Sequence, residues 1–354
     1  MTQIKVLVCD DSALMRRSLK KIIESDPRLI VAGTARDGQD SVNKARELQP
    51  DVITMDVHMP GMDGITALQI IQNEQIAPVI MISYYTQEGA EVTFEAMALG
   101  AFDYVPKFDG TISDLGPVKL EIIEKIKAAA KPGMLQKLSR NRLARNQESR
   151  EQQSTLTKKR PGSTGYKAVV MGISTGGPKT LFDVLPYLPG SLPVPVFLVQ
   201  HMPAQFITTF ARRINDNCHM RCVEAEAGTA VEPGTIYLAK GDHHMVLYQR
   251  STNKIMIRTP VKPEHTFMPS IDITMQSVLQ VFGRHTIGVL MTGMGSDGAR
   301  AMVSIRKAGG LTIAESEESA IVFGMPAEAI QRGGAEIIVP SWEIADQIIK
   351  AAGV

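Results

Sequence analysis

Three cysteines (Cys9, Cys218 and Cys222) stand in 354 residues. So small and odd a set cannot staple a secreted domain and points to a reduced, cytoplasmic compartment. Aromatic residues make up 5%, with one tryptophan, which argues against a base-stacking platform. Charge of one sign is also missing: 38 Lys and Arg face 37 Asp and Glu, a net +1. That balance excludes the overall basic surface of a DNA-coating protein, so no nucleic-acid partner is expected. No apolar run reaches the roughly 18 residues of a membrane span, and direct membrane insertion is not expected either. The opening MTQIKVLVCDDS has too short an apolar stretch for a secretory signal and runs into two aspartates.

What is present is ordinary for a globular protein, with 44% hydrophobic and 21% charged residues. At about 150 residues per domain, the length predicts two domains. Short Val- and Ile-rich runs at 4–9, 29–34, 51–56, 78–83 and 102–105 alternate with helical patterns such as 12–25 and 64–74. Strands separated by helices require crossovers, which predicts a doubly wound α/β domain of five βα units over residues 1–127. Residues 128–165 read as a basic flexible linker, helical at most at its start. Within it, residues 131–163 hold nine basic and two acidic side chains and almost nothing to bury. From 166 to 354 the alternation restarts, with buried-strand patterns at 167–173, 194–200, 286–291, 311–315 and 335–340. TIYLAK (235–240) and the pair 244–250 and 254–260, with a turn at Ser251-Thr252-Asn253, suggest a small antiparallel excursion in a second, mainly parallel α/β domain.

Three aspartates fall at expected strand ends, Asp10 and Asp11 after the first strand and Asp56 after the third. In an open parallel sheet those ends meet at one edge, where ligands bind. Three carboxylates there repel one another unless a hard cation such as Mg²⁺ sits among them. Ser83 ends the fourth strand and Lys107 follows the fifth, adding a hydroxyl and a fixed positive charge. The set suits phosphoryl transfer to an aspartate, with Asp56 attacking in line. VLVCDDS, MDVHMPGMDG, Ser83 and Lys107 together resemble the receiver domain of two-component response regulators. The resemblance implies that Asp56 takes a phosphoryl group from a histidine kinase. It also implies that Asp10, Asp11, Asp56 and the backbone carbonyl of His58 hold Mg²⁺, and that Ser83 and Tyr104 occupy two switch positions. One departure is Pro106-Lys107-Phe108, where the family usually reads Lys-Pro.

The second domain opens with Gly172-Ile173-Ser174-Thr175-Gly176-Gly177-Pro178 between a strand and a helix. Glycines there allow a tight bend that exposes the serine hydroxyl, beside N–H groups at a helix start. G-x-S-x-G alone is equally compatible with a phosphate-cradling or purely structural turn. A serine nucleophile needs a base, and the base an orienting acid. The next strand ends at His201, and the strand 286–291 ends in a glycine-rich turn that carries Asp297. The rival set Ser174, Asp242 and His265 has hydrolase order, but its acid and base lie in the hairpin-rich segment, so geometry favours His201 and Asp297. Cys218-His219-x-x-Cys222 lacks a second ligand pair for a closed zinc site, and His243 and His244 read as surface residues.

GISTGGP, VQHMP and TGMGSDGA resemble the catalytic domain of the chemotaxis protein-glutamate methylesterases. With a receiver in front, the resemblance implies hydrolysis of γ-glutamyl methyl esters on chemoreceptors, releasing methanol, and deamidation of receptor glutamines. It makes Ser174 the nucleophile, His201 the base, Asp297 the orienter, and places Thr175 and Met294 beside the oxyanion site. Ester hydrolysis of this kind needs no metal, so Mg²⁺ belongs to the receiver. The resemblance also implies inhibition by the unphosphorylated receiver, relieved by phosphorylation at Asp56. Three other readings stand beside it: a phosphorylation-controlled binding module without turnover, a transcriptional regulator, and the same fold acting on a non-chemotaxis ester or amide. The second domain shows no helix-turn-helix pattern.

Overall fold

The structure is a computed structural model and describes residues 3–84, 86–107, 116–138, 167–250 and 254–354. The chain falls into two compact units, Met1–Ala144 and Arg145–Val354. Most of the expected linker, and the turn at 251–253, lie outside the described residues; within them, residues 134–138 are helical.

In the first unit, β1 (Ile4–Cys9), β2 (Leu29–Ala35), β3 (Val52–Asp56), β4 (Val79–Ser83) and β5 (Asp103–Pro106) form one sheet in the order β2-β1-β3-β4-β5. Every pairing is parallel. A parallel sheet is covered on both faces, which is why β1 and β3 read as continuous apolar runs rather than alternating ones. Helices cross back between the strands. The first, Ala13–Ile23, buries Met15, Leu19, Ile22 and Ile23 at helical spacing, and Ser12 caps it by accepting from Met15 N–H. The strand order reverses direction at β1, which opens a crevice at the carboxyl ends of β1 and β3.

The second unit adds β6 (Ala168–Ile173), β7 (Val196–Gln200), β8 (Arg221–Glu224), β9 (Thr235–Leu238), β10 (Val246–Gln249), β11 (Ile255–Arg258), β12 (Thr286–Leu290), β13 (Leu311–Glu315) and β14 (Ile337–Val339). Seven of them form a parallel sheet in the order β14-β13-β12-β6-β7-β9-β8, while β10 and β11 pair antiparallel. The expected antiparallel excursion is therefore smaller than its sequence span. TIYLAK belongs to the main sheet, where β9 runs parallel between β7 and β8. β8 is four residues long with an exposed Arg221 at its start, too short and too polar to read as a strand.

The register places the candidate chemistry. Gly172 pairs with Leu290 on β12 and with Val199 on β7, and Ile173 pairs with Gln200. Hydrogen bonds continue past the strand ends, from His201 N–H to Ile173 O (3.1 Å) and from Ser174 N–H to Thr292 O (2.9 Å). Three adjacent strands thus stop together, at the point where the chain leaves β6 for both sides of the sheet.

Candidate functional site

Ser174 enters a four-residue turn closed by Gly177 N–H donating to Ser174 O at 2.7 Å. Gly176 has φ 77° and ψ −5°, the third-position geometry of a type II turn, which strongly favours glycine. A Cβ there would also come within 2.7 Å of Ile321 Cβ. The turn leads into a short helix, Gly177–Thr180. The backbone N–H groups of Thr175 and of Met294 have no acceptor among the described residues.

His201 lies between the two other groups. Its Nδ1 is 3.1 Å from Ser174 Oγ and its Nε2 is 2.9 Å from Asp297 Oδ2. The ring is used in the reverse sense to the best-known serine hydrolase triad, in which Nε2 faces the hydroxyl. The chemistry is the same, because either nitrogen can hold the lone pair while the other donates. The carboxylate can only accept, so it fixes the proton on Nε2 and leaves Nδ1 basic towards Ser174.

Asp297 is nearly buried, at 6% exposure, and all its hydrogen bonds come from donors. Oδ2 also accepts Ile271 N–H (2.7 Å), while Oδ1 accepts Asp272 N–H (2.9 Å) and the Ser270 hydroxyl (3.0 Å). Ile271 and Asp272 open the helix Ile271–Phe282, of which Ser270 is the cap. The carboxylate therefore lies at a helix N-terminus, where negative charge is favoured. Burial pushes its pKa up, but the hydrogen bond and charge of His201 and the two backbone N–H groups outweigh that and hold it at about 2. Two glycines let this helix approach. A Cβ on Gly172 would lie 2.3 Å from Ile271 Cγ2, and one on Gly298 (φ 90°) 2.6 Å from the same atom.

The rival triad is not assembled. Asp242 N–H donates to Met268 O, and His265 Nδ1 accepts from Phe267 N–H. Neither residue bonds Ser174 among the described residues.

Several supporting residues escape sequence reading. Gln200 Nε2 bridges Ser174 O (3.1 Å) and His201 O (3.0 Å). Thr292 Oγ1 donates to Thr175 O, and Thr292 N–H donates to the buried carboxylate of Glu315 at 2.7 Å. Phe267 stacks on His201, with ring centroids 4.4 Å apart and planes 7° from parallel. His244 corrects the expectation of a surface residue. It is fully buried; Nε2 donates to Pro263 O, and Nδ1 accepts from Ser270 N–H. It thereby anchors the cap that bonds Asp297. The triad's own Ser, His and Asp were legible; these supports, a glutamine, a threonine, a glutamate, a phenylalanine and a second histidine, have no local pattern to mark them.

The cysteines do not compete as nucleophiles. Burial pushes all three thiols up to about 12. Among the described residues, the grouping of carboxylates, imidazoles and thiols able to hold a metal is Asp10, Asp11 and Asp56, whose ligand oxygens lie within 4.8 Å of one another.

That cluster forms at the carboxyl edge of the first sheet. Lys107 Nζ donates to Asp56 Oδ2 at 2.6 Å and lies 3.3 Å from Asp10 Oδ2. The Pro106-Lys107-Phe108 departure thus leaves the lysine charge in place. Asp10 and Asp56 are buried; burial and the neighbouring Asp56 push the Asp10 carboxyl up to about 6, against the pull of Lys107. Burial likewise raises Asp56, while Lys107 opposes it. Asp10 Oδ2 is buried and accepts no well-aligned hydrogen bond, although the Lys107 ammonium lies near it. Crowded, partly unsatisfied carboxylate oxygens are the donor set a hard divalent cation prefers, so these residues fit Mg²⁺. Ser83 is buried, its hydroxyl 3.3 Å from Gly89 O. Tyr104 is also buried, with the Lys125 ammonium 5.1 Å from its ring centre.

Comparison with known proteins matches both halves. Residues 6–111 match the response regulator receiver domain family and residues 169–348 the CheB methylesterase family. A Syntrophomonas wolfei protein named protein-glutamate methylesterase/protein-glutamine glutaminase 3 is 56% identical, over 98% of this chain and 99% of its own. A Caldanaerobacter subterraneus protein named protein-glutamate methylesterase/protein-glutamine glutaminase is 50% identical, over 98% of this chain and 96% of its own. The crystal structure of the Thermotoga maritima CheB methylesterase catalytic domain covers 52% of this chain and 98% of its own, with 35% identity and a TM-score of 0.51. No described helix is long and apolar enough to cross a membrane. The chain belongs to the CheB methylesterase family, with a response regulator receiver domain preceding the catalytic one.

Proposed function

We propose that this chain is a phosphorylation-activated protein-glutamate methylesterase that also deamidates glutamine side chains. The observation that carries the reading is His201 held between Ser174 Oγ and the Asp297 carboxylate. His201 Nδ1 takes the Ser174 proton as Oγ bonds to the γ-carbonyl carbon of a methylated glutamate. The oxyanion so formed is met by the N–H groups of Thr175 and Met294. The imidazolium then gives its proton to the methoxy oxygen and methanol leaves. Water attacks the glutamyl-serine ester, His201 takes its proton and returns it to Ser174, and a free carboxylate is released. With glutamine the leaving group is ammonia.

Asp56 is the phosphoryl acceptor. Asp10, Asp11, Asp56 and the His58 carbonyl would hold Mg²⁺, which supplies positive charge to the phosphoryl oxygens when bound. Lys107 stands against the acceptor carboxylate, and Ser83 and Tyr104 are the switch residues. The phosphodonor is a chemotaxis histidine kinase, and the substrates are methylated chemoreceptors met in the cytoplasm. Residues 1–127 act as the regulatory domain and 166–354 as the catalytic one, joined by the basic linker 128–165. Without phosphorylation the regulatory domain restrains catalysis, and phosphorylation shifts the population to the active state.

The test is methanol release from methylated receptor membranes, with and without acetyl phosphate and Mg²⁺. The wild type should release methanol faster with the phosphodonor. Ser174→Ala should release none under either condition, and methanol from that variant would refute the reading.

A further inference from the structure

Among the described residues, Phe267 is the aromatic ring stacked on the candidate base, and it lies there face to face. The centroids are 4.4 Å apart with an interplanar angle of 7°. His201 has its Nδ1 edge on Ser174 and its Nε2 edge on Asp297, so its faces are what remain to be covered. Phe267 covers one of them, and the His201 side chain is left only 10% exposed. The phenylalanine itself stays 36% exposed, so it is a flap over the imidazole rather than a core residue. Its backbone N–H is tied to His265 Nδ1 at 3.2 Å.

A phenyl face carries a negative quadrupole. Beside a neutral imidazole that field does little. Beside an imidazolium it is attractive, more so where water is kept away. In the proposed reaction cycle the imidazole is neutral before attack and cationic once it holds the Ser174 proton. An interaction that strengthens only as charge develops lowers the barrier without tightening substrate binding. We propose that Phe267 is a positioning residue for the base: its ring holds the His201 plane and stabilises the imidazolium formed when Ser174 attacks. The proposal rests on the reading of His201 as base.

The experiment replaces Phe267 in the full-length chain by mono-, di- and trifluorophenylalanine, which drain the ring face stepwise while nearly preserving its shape. Single-turnover methanol release from methylated receptor membranes is measured with acetyl phosphate and Mg²⁺ present. The rate constant of the chemical step should fall in graded fashion with fluorine number, by about threefold over the series. KM should stay within about twofold. Phe267→Leu should fall by a similar factor or more, and Phe267→Trp should retain the rate or raise it. A flat fluorine series, with Ser174→Ala inactive, would overturn the role of Phe267 and leave the triad standing. Methanol release by Ser174→Ala would overturn the triad reading and this inference with it.

Discussion

Asp297→Asn isolates what the carboxylate does, because the two side chains have nearly the same shape. In the native protein, the two oxygens accept from His201 Nε2, Ile271 N–H, Asp272 N–H and the Ser270 hydroxyl. An asparagine keeps one acceptor oxygen and turns the other position into a donor. If the oxygen stays on Asp272 and Ser270, the new amide NH₂ faces the Ile271 N–H and the His201 N–H. The histidine escapes by moving its proton to Nδ1, which leaves no lone pair towards Ser174. Loss of the correct tautomer in an otherwise intact triad lowers kcat by about 10,000-fold, so methanol release should drop on that order. Stability changes as well. The native carboxyl is held at about 2, below an ordinary value of about 3.9, which corresponds to about 2–3 kcal/mol at neutral pH. Because the folded pKa is depressed, that contribution is complete above about pH 4 and is lost as pH falls through about 2. Urea unfolding of wild type and variant at pH 7 and near pH 3 reads this directly: the gap should be about 2–3 kcal/mol at pH 7 and narrower at the lower pH. A gap independent of pH, or a variant within about tenfold of native activity, would refute the account.

Asp56→Asn should abolish labelling by acetyl phosphate with Mg²⁺ while leaving unstimulated methanol release at its basal level; equal labelling of the variant would remove Asp56 as acceptor. Deleting residues 1–163 should raise unstimulated activity, and unchanged or lower activity would refute inhibition by the receiver. Gly293→Ala places a Cβ 2.5 Å from Met325 Sδ and 2.9 Å from Ser174 Cβ. Overpacking of this kind should cost about 1–3 kcal/mol in denaturant unfolding, and displacing the nucleophile should lower kcat by about 100-fold. Native kcat in that variant would show that the nucleophile tolerates the shift.

The parts of this fold legible in the sequence are those set by burial on both faces of a parallel sheet. Runs such as VLVC, VITM and VFLV have no polar alternation because no face meets water, and their ends carry the reactive residues. Ser174, His201 and Asp297 could be assigned to one edge by that logic, and so could Asp10, Asp11, Asp56 and Lys107. The short edge strand β8 and the parallel placement of β9 were not legible. β8 is half exposed, with Asn215 rather than another strand bonding both the N–H and the C=O of Cys222. A strand of four residues whose outer side is met by a side chain leaves no hydrophobic signature.

Residue types named the triad, yet half of the donors on its acid are main chain, acting beside the hydrogen bond and charge of His201. Two of the four donors on Asp297 are backbone N–H groups at the start of the helix Ile271–Phe282, and a third is its cap hydroxyl. The helix reaches that position because Gly172 and Gly298 leave room for Ile271, and its cap is tied to a histidine that reads as surface but is buried. A search for Ser, His and Asp finds the groups that exchange protons. Some of the groups that set how strongly they do so are amides, which every residue except proline supplies and no sequence pattern announces. The acid's low pKa therefore depends on helix placement as well as on His201. It should survive substitutions within Ile271–Phe282 that preserve the first turn and be weakened by any that move it.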